Sequence, residues 1–295
     1  MGDPEQEQLQ EYLDACDTAE VDVAGTRAAF DGLAEQVEPT VSVDHVDDGT
    51  VAGVRVRTYR PGEAGRLRLL WAHGGGWVAG TLDTTDPLCR ALAVATGLEV
   101  VAVDYRLAPE HPFPAALDDL LAVVDGLTGP LAVGGDSAGA GLAAVAAQER
   151  RGVLVAQVLV SPLLDATLDS PSVAAFATGH GLTRNALEQY VALYLAGADP
   201  TDPRVSPLRT GDLAGTPPAV IVTGGQDPLR DDGAAYAARL REAGVRVEHR
   251  DWPEALHGFF GATAPTPTED EALLWAADQL GAIMADRPPG HGPHR

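Results

Sequence analysis

The chain has 295 residues, enough for one large α/β core or two modest domains. Hydrophobic residues make up 45% and charged residues 21%, the balance of an ordinary globular protein whose core can be filled by Ala, Val and Leu, aromatics being only 5%. A formal net charge of −23 repels polyphosphate and anionic lipid, so nucleic acid and membranes are excluded as expected partners.

All 20 basic residues are Arg, a bias that either salt adaptation or codon usage explains. The N-terminal segment MGDPEQEQLQEYLDACDTAE is acidic and has no apolar signal core, and no stretch reaches the ~18 uninterrupted apolar residues of a membrane helix. A cytoplasmic protein is therefore expected. Residues 5–37 read as one or two helices, with Leu9, Tyr12, Leu13 and Ala19, then Val23, Ala28, Phe30 and Leu33, near a 3.6 period among acids. Strand signals follow: Val51–Tyr59 alternates, and Leu67–Ala72 is a short apolar run ending in glycines.

From there the pattern is regular. Short runs rich in Val and Leu at Leu98–Val103, Pro130–Val133, Val153–Val160 and Pro218–Val222 suit strands buried on both faces. Helical stretches lie between them at about 84–96, 114–127, 138–150 and 230–243. A last strand, Val245–Trp252, precedes a helix near 269–285. Such alternation predicts a largely parallel sheet covered by helices, with the first strands antiparallel at an edge. Residues 165–215 break the rhythm around one helical stretch, Arg184–Leu195. They are too many for a plain loop, so an insertion above the strand ends is expected, joined by the N-terminal helices.

Chemistry concentrates in two glycine-rich turns. Gly135-Asp136-Ser137-Ala138-Gly139 follows an apolar strand and opens an Ala- and Leu-rich helix, the context of a G-x-S-x-G nucleophile elbow. Such a turn lifts the Ser137 hydroxyl clear of the sheet and leaves the Ala138 N–H free; a glycine turn with an N-capping serine is the plainer alternative. His73-Gly74-Gly75-Gly76-Trp77 follows the Leu67–Ala72 strand. Consecutive glycines let backbone N–H groups approach a substrate oxygen, as an oxyanion hole requires. Gly75, Gly76 and Ala138 are the candidate donors, with Gly74 the open point. The stretch lacks the G-x-x-x-x-G-K-[ST] pattern of a phosphate loop. Trp77 reads equally well as a residue lining the pocket mouth or as packing.

A serine nucleophile needs a histidine base, and the base needs a carboxylate to hold its tautomer. Of the histidines after Ser137, His180 falls in the insertion, His249 inside a strand, and His291 and His294 in the tail. His257 follows the last strand in a loop, where a base belongs. Asp227 follows the Ala219–Thr223 run and so emerges at a strand C-terminus; Asp231, Asp232 and Glu254 are its competitors. The two cysteines, Cys16 and Cys89, have no disulfide framework and no metal-ligand spacing, so no metal is expected.

Together HGGGW (73–77), DYRLAPEHPFPAA (104–116), GDSAG (135–139), DPLRD (227–231) and HGF (257–259) closely resemble the motif set of the hormone-sensitive lipase family, in its bacterial esterase branch. The resemblance runs from about residue 70 to residue 260. It implies an α/β-hydrolase fold, a mostly parallel eight-stranded sheet flanked by helices with a helical cap. Cap helices are expected at 1–40 and 165–215, core at 41–164 and 216–286, and a disordered tail at 287–295. It also implies cofactor-free hydrolysis of short- to medium-chain carboxylic esters, with Ser137 as nucleophile, His257 as base and Asp227 as its orienter. Asp104, Arg106 and Glu110 would knit the loop beneath the site, and a homodimer is possible. Ala140 departs from the family, which usually has a second glycine there. Deacetylation of a specialised metabolite is an alternative role, and a non-catalytic small-molecule-binding protein of the same fold is another.

Overall fold

The computed structural model describes residues 21–36, 41–62, 67–260 and 267–286. The predicted helix before residue 21 and the tail at 287–295 lie outside them. Eight strands form one sheet: β1 (His45–Val51), β2 (Val54–Arg60), β3 (Arg68–Ala72), β4 (Glu99–Val103), β5 (Leu131–Asp136), β6 (Leu154–Val160), β7 (Ala219–Gly224) and β8 (Val247–Trp252). Their spatial order is β1-β2-β4-β3-β5-β6-β7-β8. β1 pairs antiparallel with β2, and β2 with β4; every later pair is parallel.

One expectation is corrected at the edge. The alternating run Val51–Tyr59 is not a single strand but straddles a two-residue turn at Ala52 and Gly53, both at positive φ (51° and 87°). β1 starts at His45 in HVDDGTV, which is mostly exposed and carries no apolar alternation to announce it.

The parallel strands bury both faces by alternation, since neighbouring side chains point to opposite sides. Leu70, Ala72, Val101 and Val103 face the side packed by α3 (Ala115–Gly126), α4 (Ala138–Glu149) and α7 (Arg230–Glu242). Leu69, Trp71, Val100 and Ala102 face the side packed by α2 (Asp86–Thr96) and α8 (Pro267–Ala285). Each such Leu or Val contributes roughly 1.5–3 kcal/mol when fully buried. β4 leads through α3 over β3 to β5, reversing the strand order. At such a reversal an open sheet leaves a crevice at its strand C-termini.

The segment between β6 and β7 holds α5 (Pro171–Ala175), α6 (Arg184–Leu195) and a 3₁₀ turn at Pro207–Arg209. Two acids in the first turn of α7 fasten it. The buried Asp232 carboxylate accepts the Leu164 and Asp165 N–H groups (2.9 and 3.0 Å) and the Ser170 hydroxyl. Asp231 accepts the Ser172 N–H at 2.9 Å. On the N-terminal side, α1 (Val23–Gln36) is fastened by Arg27. Its guanidinium donates to the Val78 and Ala108 carbonyls (2.9 and 3.0 Å) and pairs with Glu110 at 2.7 Å.

Asp232→Ala would leave two buried N–H donors unsatisfied. It should lower the unfolding free energy by about 2–5 kcal/mol in urea titrations. A change below about 0.5 kcal/mol, the size of an ordinary surface substitution, would refute this anchoring role.

Candidate active site

Four chain segments converge at the strand C-termini. β3 runs into the glycine loop at 73–77, β5 into Ser137, β7 into Asp227 and β8 into the loop holding His257. Ser137 sits at φ 54° and ψ −119°, a conformation costly for any residue with a Cβ, held by the Ser137 N–H to the Val160 carbonyl at 2.8 Å. The turn is possible because its flanks are glycines. A Cβ at Gly135 would stand 2.5 Å from the Ala72 oxygen, and one at Gly139 would stand 2.1 and 2.3 Å from the Ala72 and His73 oxygens. Sterics, rather than chemistry, dictate this spelling.

His257 Nε2 lies 3.0 Å from Ser137 Oγ, and its Nδ1 lies 2.9 Å from Asp227 Oδ2. Asp227 is fully buried, and its other oxygen accepts the Leu229 N–H at 2.8 Å. With Nδ1–H donated to the carboxylate, Nε2 is left as the acceptor facing the serine hydroxyl. Burial pushes the His257 pKa down, but the charge of Asp227, its hydrogen bond and the nearby Asp136 charge outweigh this. The net direction is upward from 6.5.

The rival histidines and acids are engaged elsewhere. His249 meets the Thr223 hydroxyl on the sheet at 3.1 Å, and His180 meets the Thr178 carbonyl at 2.6 Å. Asp231 and Asp232 fasten the segment after β6, and Glu254 accepts from Gln226 at an exposed loop. His73 is buried and stacked on Tyr105 (centroids 4.3 Å apart, 17°), with Nδ1 2.7 Å from the Gly74 carbonyl. Burial lowers its pKa, so it is a neutral packing group of the loop. The acids and Arg of DYRLAPE have separate partners: Asp104 meets Arg55, Arg106 meets Asp119 of α3, and Glu110 meets Arg27 of α1.

In the glycine loop, Gly75 and Gly76 adopt positive φ (109° and 62°). A Cβ on Gly75 would strike the Ala79 oxygen at 2.2 Å, and one on Gly76 would enter the Tyr190 ring at 2.6 Å. Gly74 differs: the space beside it is filled by the Asp136 carboxylate, 2.3 Å from where its Cβ would be. Trp77, at positive φ (62°), is 2% exposed and stacks on Tyr194 of α6 (4.2 Å, 13°), so packing accounts for its ring. At the departure noted above, the Ala140 methyl is fully buried, and the close approach falls on Gly141, whose Cβ would lie 2.5 Å from the Leu163 oxygen. Tyr190 and Asp136 were not singled out from sequence. An acid ending an otherwise apolar strand was the one available signal for Asp136, and for Tyr190 there was none.

A mostly parallel sheet carrying a serine after β5, a carboxylate after β7 and a histidine after β8 has the architecture of an α/β-hydrolase. A family profile described as "alpha/beta hydrolase fold" matches residues 69–261. Carboxylesterase NlhH of Mycobacterium tuberculosis is 41% identical over 256 residues, covering 80% of this chain and 78% of that protein. Among solved structures, ester-hydrolase EH1AB1 from the metagenome of Lake Arreo, complexed with a derivative of bipyridine phosphonate, superposes with a TM-score of 0.87. It is 38% identical, and the match covers 97% of this chain and all of that one (100%). An esterase of the bacterial hormone-sensitive lipase family superposes at 0.86 with 28% identity over 96% and 99% of the two chains. The chain belongs to the hormone-sensitive lipase family of α/β-hydrolases. Among the described residues, no helix is long and apolar enough to cross a membrane.

A histidine with a raised pKa favours the fold when protonated. Its contribution is complete below the unfolded value of 6.5 and fades as pH climbs through the folded one. NMR titration of His257 should give a value above 6.5, and Asp227→Asn should bring it down. A His257 that titrates identically in both proteins would contradict the pairing.

Proposed function

We propose that this chain is a serine carboxylic ester hydrolase acting on short- to medium-chain esters through an acyl-enzyme, with Ser137 as nucleophile, His257 as general base and acid, and Asp227 as the group that orients it. The reading rests above all on the unbroken hydrogen-bond chain from Ser137 Oγ through His257 to Asp227. The carboxylesterase activity named for a relative at 41% identity supports the reaction class.

The steps follow from the donor and acceptor order. His257 Nε2 takes the Ser137 proton as Oγ bonds to the ester carbonyl carbon, and the carbonyl π pair moves onto oxygen. Backbone N–H groups of Gly75, Gly76 and Ala138 hold the resulting oxyanion; each such donor is worth about 3–4 kcal/mol of barrier. When the pair returns, the ester C–O bond breaks and the alcohol leaves with the proton from His257. Water, deprotonated by the same nitrogen, then attacks the acyl carbon, and Ser137 leaves with its proton restored. Asp227 holds the imidazole in place and stabilises the imidazolium formed twice in the cycle.

Ser137→Ala should reduce hydrolysis of p-nitrophenyl butyrate by at least about 10³-fold while leaving the unfolding curve unchanged. In an acyl-chain series the wild type should prefer butyrate to palmitate. Undiminished turnover in the Ala variant would remove Ser137 from the reaction.

A further inference from the structure

The residue just before the nucleophile has a role of its own. Asp136 ends β5, and its side chain points away from Ser137 toward the root of the glycine loop. Oδ1 accepts the indole N–H of the fully buried Trp71 at 3.1 Å. Oδ2 occupies the space beside Gly74, 2.3 Å from where a Cβ would be. Hydrogen bonding from the Gly74 backbone also reaches this carboxylate. The first glycine of the loop is thus explained without a contact to substrate: it makes room for an acid. Both partners are donors, so the site calls for a group with two acceptor oxygens. An Asn would turn an N–H₂ toward one of them, and an apolar residue would leave both unpaired.

We propose that Asp136 is a positioning residue for ester hydrolysis, its carboxylate tying the serine turn to the glycine loop so that the Gly75 and Gly76 N–H groups stand at a fixed distance from Ser137. The proposal rests on the reading of Ser137 as nucleophile. Among the described residues, no other side-chain hydrogen bond ties the loop to β5. His73 and Tyr105 hold its far side, where the Tyr105 hydroxyl donates to the His73 carbonyl at 2.7 Å. Without the carboxylate the loop would keep its fold and lose its register.

The same charge acts on His257. Burial raises the Asp136 pKa to about 6, and Trp71, the Gly74 backbone and the His257 charge hold it down from going further. The remaining titratable groups in its field, Tyr105 and Cys89, are pushed up by burial and stay protonated. Among the described residues, His257, itself paired with Asp227, is the one that can change charge in response. An ionised Asp136 favours the imidazolium, so removing it makes His257 lose its proton at lower pH.

The experiment compares wild type, Asp136→Asn and Gly74→Ala on p-nitrophenyl butyrate, with a p-nitrophenyl phosphonate to titrate active serines. Asp136→Asn should lower kcat about 10- to 100-fold with KM changed less than about threefold, and should move the acid limb of kcat/KM to lower pH. Gly74→Ala, which displaces the carboxylate from the loop side, should reproduce the loss in kcat, and decides the matter if the Asn variant does not fold. Both variants turning over within about threefold of wild type, with Ser137 labelled and the acid limb unmoved, would overturn the role of Asp136 alone. Labelling of the wild type at a residue other than Ser137 would overturn the nucleophile assignment beneath it.

Discussion

The carbonyl oxygens of Ala72 and His73 press against the turn that holds Ser137, and most of the site follows from that contact. Any side chain at Gly135 or Gly139 would lie within about 2.5 Å of those oxygens. The backbone of the serine turn therefore packs directly on the end of β3, and β3 runs straight into the glycine loop. Candidate nucleophile and candidate oxyanion donors are brought together by main-chain contact, which has no rotamers and little give. That rigidity is what transition-state stabilisation needs, because donors already in place need not reorganise as charge develops. The strain at Ser137 persists because its neighbours overdetermine it.

Electrostatics then divides the acids of this strongly acidic chain into two populations. Surface acids pair with Arg in high dielectric, where each pair contributes little. Of three acids near the site, Asp227 and Asp232 are buried and Asp136 is partly buried, and backbone N–H groups help to stabilise each one. Asp227 adds the imidazole, Asp136 the Trp71 indole and Asp232 the Ser170 hydroxyl. Each of these carboxylates joins two segments remote in sequence, so the polar interactions that are costly to break are also the ones that locate the loops.

This division explains what could be read from the chain. The parallel strands were legible because burial on both faces produces short continuous Val and Leu runs, and their ends were marked by turn residues. Ser137, His257 and Asp227 were legible because their positions after strands follow from chain order, and because the glycines around Ser137 answer to a local steric demand. β1 was not, since an exposed edge strand carries no apolar period. Nor was the partner of Trp77, since Tyr194, on which it stacks, lies 117 positions away. The contact between Asp136 and Gly74 was hidden for the same reason: it lies inside two familiar motifs but between them in space.

The segments outside the core are attached at the points where their position matters to the site. Asp231 and Asp232, which hold the stretch after β6, lie only four and five residues beyond Asp227 on the same loop and helix. Arg27 of α1 grips the Val78 carbonyl, two residues past Gly76. Tyr190 and Tyr194, one turn apart on α6, lay their rings on Gly76 and Trp77. Each outer segment is thus fixed to a loop that also carries a candidate reacting or donor group. A few carboxylates and one guanidinium in this way join the outer segments to the turns at the strand ends.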